Sequence, residues 1–120
     1  MDTMNENSIR VISTKISMDE LKKIAEKRFG DLVKAVVDVN KMIMAIGGEL
    51  HADEEAFLLE RGSTQSDLWG INLYPYSSFP EMTEFDSMIN IRPSQGNRSH
   101  VVEDESIRKN ILKIVRNLIE

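Results

Sequence analysis

Cysteine is absent from this 120-residue chain, tryptophan occurs once, histidine twice and proline three times. Without cysteine there are no disulfides, no thiolate metal sites and no cysteine nucleophile. That suits a reducing compartment, and the cytoplasm is the expected location. The longest unbroken apolar run, Met42 to Ile46, is far short of the roughly 20 residues a membrane helix needs. Residues 1–7 are acidic and polar, unlike a secretory signal. They read as a disordered tail, and residues 8–120 as one domain, long enough to bury a core without staples.

What the chain does have is charge, unevenly spread. Residues 1–30 carry six basic and five acidic side chains, residues 31–90 three and eleven, and residues 91–120 six and four. The middle is therefore net −8, and an acidic centre repels phosphate backbones, which argues against broad nucleic-acid binding. The basic C-terminal stretch leaves room for a local anion site.

Hydrophobic spacing divides the chain into elements. Ser17-Met18-Asp19-Glu20 has the form of a capping box, with Ile16 and Leu21 spaced as a hydrophobic staple. Leu21, Ile24 and Ala25 then share one helical face, and Gly30 is placed to end the helix. Val33–Val39 is rich in β-branched residues and reads as a strand. Asn40-Lys41 reads as a tight turn, and residues 41–46 as a second strand. Residues 49–60 fit either a short helix or a strand, and a strand is preferred for 55–60. Residues 67–74 and 84–91 read as further strands separated by a proline-containing loop. A closing helix over about 104–119 places Ile107, Ile111, Ile114, Val115 and Leu118 on one face. The expected fold is α+β: an antiparallel meander of about five strands, with the N- and C-terminal helices packed on one face. Trp69 is expected in the core between them, and Met42, Met44 and Met88 as filler within strands. An edge strand left unpaired would offer a route to a homodimer.

Three stretches, Gly48 to Glu55 (containing His51-Ala52-Asp53-Glu54-Glu55), Asp67 to Pro75 and Met88 to Ser99, together resemble a family of small prokaryotic proteins filed as a domain of unknown function. The resemblance runs from about Ile16 to the C-terminus. It implies family membership and brings no activity, cofactor or catalytic residue with it. It also implies an arginine at the position that His100 occupies here.

Three constellations could carry chemistry. The first is the stretch from Arg92 to His100, with Ser94, Gln95, Asn97 and Arg98 between a strand and a helix. Arginine forks suit carboxylate or phosphate, and glycine admits backbone amides to an anion, so a small anion is one expected partner and a protein surface another. A loop whose polar side chains satisfy its own backbone explains the same residues. The second is His51, Asp53 and Glu55, which in an extended segment share one face and are metal-ligand types. A small metal-dependent hydrolase is the reading they support, and an exposed acidic turn is the alternative. The third is Asn72, Tyr74 and Asn90, which with Arg92 would form a polar patch on an open sheet face. The leading reading is a small binding or interaction module that uses the 92–100 loop and this patch.

Overall fold

A computed structural model describes residues 8–120, so the expected tail over 1–7 lies outside the described residues. In chain order the regular elements are β1 (Arg10–Ile12), α1 (Met18–Arg28), β2 (Val33–Asp38), β3 (Ile43–Ile46), α2 (His51–Glu60), β4 (Leu68–Leu73), β5 (Thr83–Glu84) and α3 (Glu105–Leu118). The strands form one antiparallel sheet in the order β1-β3-β2-β4-β5. The α+β fold with helices near both ends is as the hydrophobic spacing implies. The order is not that of a simple meander. β4 joins β2 rather than β3, because β1 already pairs with the other edge of β3.

Local chemistry explains the ends of the elements. Ser17 Oγ accepts from the Glu20 amide at 3.1 Å, as a capping box requires. Glu20 itself turns away and pairs with Arg10 at 2.6 Å. At the β2–β3 turn, Asp38 Oδ1 accepts from the amides of Asn40 and Lys41, both at 2.9 Å, and Oδ2 from Ser63 Oγ at 2.7 Å. The turn puts Met42 in the left-handed region, φ +61°, and turns it outward with 47% exposure. Met42 is thus a turn residue and not core filler, whereas Met44 is fully buried. Asp104 caps α3 by accepting from the amides of Ser106 and Ile107.

Strand alternation sorts the side chains into two faces. The first carries Val33, Ala35, Val37, Met44, Ile46, Trp69, Ile71 and Leu73, packed against Leu21 and Ala25 of α1 and Ile111, Ile114, Val115 and Leu118 of α3. Trp69 sits in this core. The second face carries Val36, Ala45 and Leu68, packed against Leu58 of α2. The sheet is therefore covered on both faces. The preferred strand over 55–60 is corrected to helix α2. Its run of Ala, Glu and Leu favours a helix, and the apolar second face supplies a place to dock one.

The expected strand over 84–91 is also corrected. Only Thr83 and Glu84 pair with β4. Ser87 then accepts from the Ile89 amide at 3.3 Å and opens a short 3₁₀ turn, Met88–Asn90. Met88, 74% exposed, lies on that turn and fills no core. Among the described residues, no helix is long and apolar enough to cross a membrane.

Candidate functional site

β5 pairs with only two residues of β4, so the backbone groups of Leu68 and Gly70 on that side need other partners. The 90–97 segment supplies them. The Asn90 side chain accepts from Gly70 N at 2.8 Å and donates to Gly70 O at 3.0 Å and His100 O at 3.1 Å. One amide side chain thus takes the place of a strand's peptide group. Gly70 has to be glycine, because a Cβ there would lie 2.5 Å from Ser87 Cβ. The Arg92 guanidinium donates to Leu68 O, to Gln65 O at 2.6 Å and to Ile89 O at 3.2 Å, and stacks over the Trp69 ring at 4.3 Å. Asn97 Nδ2 faces the carbonyls of Asn90, Ser99 and Val101 at 2.8–2.9 Å, while its Oδ1 accepts from Glu103 N.

Asn90, Arg92 and Asn97 are all buried, and their hydrogen bonds go to the chain itself. Gln95 is exposed and bridges Arg92 and Ser66 O. Ser94 and Arg98 are exposed. An anion does meet the loop, and it is an exposed carboxylate of the chain itself, Glu103. Glu103 Oε2 accepts from the Ser99 amide at 3.0 Å. The Ser99 side chain, the amides of Ser99 and Arg98, and the Arg98 charge hold its carboxyl below the usual range.

A second group of polar side chains gathers beside β4, on the side of α2. Asn72 Nδ2 donates to Glu84 Oε1 at 2.9 Å and to Asp86 O at 3.3 Å. The Tyr74 hydroxyl donates to the same Glu84 oxygen at 3.1 Å. Partial burial first, then Glu84, Asp31 and Asp86, push the Tyr74 hydroxyl above its ordinary pKa. His100 Nδ1 donates to Asp86 Oδ1 at 2.5 Å. His51 Nε2 lies 2.8 Å from Ile71 O. A carbonyl only accepts, so that nitrogen carries the proton and Nδ1 keeps its lone pair. Burial lowers the His51 pKa, and Lys34 lowers it further, against the raising effects of Ile71 O, Asp86 and Asn72.

Asn72 Oδ1 is buried and has no hydrogen-bond partner. Its orientation is fixed, because Nδ2 already faces two acceptors. The sequence pairs Asn72 with Tyr74 correctly, since residues two apart on a strand share a side. It does not reveal Glu84, which arrives through the β4–β5 register, nor that His100 meets Asp86 while His51 lies within its electrostatic reach.

The metal-ligand reading of His51, Asp53 and Glu55 depended on an extended segment. On helix α2, successive residues turn by about 100°, so Asp53 points away from His51 and is exposed. Glu55 meets Gln65 instead. Among the described residues, no group of three or more metal-ligand side chains comes together. The same helix holds a residue that the sequence did not single out, Glu54. It is fully buried, Oε2 accepts from Gly48 N at 2.9 Å, and Oε1 has no partner. Burial raises its pKa well above the ordinary value.

Against known proteins, the chain matches a family described as "Protein of unknown function (DUF5674)" over residues 10–118, and it belongs to that family. No curated protein and no solved structure matches it.

Proposed function

We propose that this DUF5674 member is a small cytoplasmic binding module whose ligand surface is the cluster of His51, Asn72, Tyr74, Glu84, Asp86 and His100, and that its ligand is a small amine or guanidinium cation. One observation carries the reading: Asn72 Oδ1 is a shielded acceptor without a donor, and native chains rarely leave such a group unmet. The groups around it favour a positive donor. Asp31, Glu84 and Asp86 set three carboxylates against one permanent cation, Lys34. The 92–100 loop serves this surface as scaffold. An external anion there would have to displace Glu103, and Ser94, Gln95 and Arg98 form only its rim.

His51 adds a pH dependence. When protonated, its Nδ1–H can donate to Asn72 and supply the missing hydrogen bond. A cationic ligand then meets both a competitor and an added positive charge. Its affinity should fall as the pH drops through the lowered His51 value, which lies below the ordinary 6.5.

The test is a titration of the full chain with butylamine, putrescine and guanidinium, followed by amide chemical shifts. Saturable shifts at Asn72, Tyr74 and Glu84 are expected, weaker at pH 5.5 than at pH 8 and abolished by Asn72→Leu. No saturable shift with any of the three cations would overturn the reading.

A further inference from the structure

The first-face core opens at one end into a groove of about 520 Å³, lined by Met18, Phe79, Pro80, Met82, Val115, Arg116, Ile119 and Glu120. That volume falls within the range of small-ligand sites, which are mostly apolar with a few placed polar groups. Met82 and Val115 are buried at the floor. Both walls are pinned by backbone bonds. Ile16 N donates to Leu118 O at 2.8 Å and Glu120 N to Ile16 O at 3.0 Å. On the other side, Tyr74 N donates to Met82 O and Met82 N to Ser78 O, each at 2.8 Å. A groove so held is preformed, which lowers the ordering cost of binding.

The groove carries two charged side chains of opposite sign. The Arg116 guanidinium lies over the Phe79 ring at 5.1 Å. Glu120 sits four residues further on. No ion pair joins them within 4 Å, and neither has another ionic partner among the described residues. An exposed cation and an exposed anion beside an apolar groove, not paired with each other, complement a molecule with a carboxylate, an ammonium and an apolar body. A fatty carboxylate would satisfy Arg116 but be repelled by Glu120, and a plain amine would do the reverse.

We infer that this groove binds a zwitterion with an apolar side chain, its carboxylate on Arg116, its ammonium on Glu120 and its apolar part against Phe79, Met82 and Val115. A free apolar amino acid and a short apolar peptide share this chemistry. The inference is independent of the amine surface, which lies on the other side of the sheet.

The experiment titrates the full chain with L-leucine, L-phenylalanine and the dipeptide Leu-Leu, reading amide and methyl shifts. At millimolar ligand, at least one should give saturable shifts at Met82, Val115 and Ile119, and whichever binds best identifies the source. N-acetyl-phenylalanine, which lacks the ammonium, and phenylalanine amide, which lacks the carboxylate, should each bind at least about tenfold more weakly than phenylalanine. Arg116→Gln should weaken the zwitterions by a similar factor with an unchanged melting temperature. Blocked and unblocked compounds binding alike, or no saturable shift with any of the three zwitterions, would overturn the inference whatever the fate of the variant.

Discussion

The two faces of the sheet are built to different standards. The face under α1 and α3 is almost wholly apolar, and its helices meet it with regular stripes of Ile, Leu and Val. The face under α2 has a smaller apolar patch, with Glu54 beside it and His51 and Asn72 near the helix start. Apolar packing tolerates a range of solutions. A buried carboxyl or imidazole has few, because each polar atom needs its own partner. The first face therefore carries the stability, and the second carries the groups whose state can change.

The largest expected effect breaks the first face. Ile114→Ala should cost about 2–5 kcal/mol in urea unfolding, through lost burial and the cavity left behind. Asn90→Ala comes next. It strips both polar groups of Gly70 and the His100 carbonyl of their partner, and should cost about 3 kcal/mol although it removes few apolar atoms.

Smaller effects separate the titrating groups of the second face. The folded state raises the Glu54 pKa above its ordinary 4.5, so the unfolded chain loses that proton first. Stability from this group is full below pH 4.5 and declines as the pH rises through the folded value. Glu54→Gln should therefore raise the melting temperature at pH 8 and change it little at pH 4. His51 acts in the opposite sense. Its folded pKa is lowered from 6.5, so its contribution is full above 6.5 and is lost as the pH falls through the lowered value. His51→Gln should flatten the acid side of the melting profile between pH 7 and 5. The smallest effect belongs to the exposed Arg10–Glu20 pair, whose removal by Glu20→Gln should change stability by less than about 1 kcal/mol.

The sequence reveals the first face far better than the second. Ile107, Ile111, Ile114 and Val115 repeat with a helical period, and Trp69, Ile71 and Leu73 alternate, so both patterns announce a shared core. Residues 51–60 carry a weak pattern, because α2 buries Leu58 and Glu54 together and leaves Leu59 exposed. A buried acid among apolar residues blurs the period that marks a helix. Residues 84–91 alternate like a strand, but beyond Glu84 their backbone bonds go to the 100–102 segment, to their own 3₁₀ turn and to side chains such as Asn72 and Asn97, which no period records. Asn72, Tyr74 and Asn90 stand out in the sequence as unusual polar residues. Whether such a residue serves a ligand or the backbone depends on which carbonyl or amide it meets. Asn90 meets Gly70, and Asn72 leaves one oxygen unmet.

The amide of Asn90 has a consequence beyond its own hydrogen bonds. A strand whose outer backbone groups lie open is a template on which another molecule can add a strand. By occupying both groups of Gly70, Asn90 makes the rim of β4 unreadable to a neighbouring chain. A variant that keeps its fold but loses that side chain would be marked in concentrated solution by self-association, at temperatures where each molecule alone is still intact.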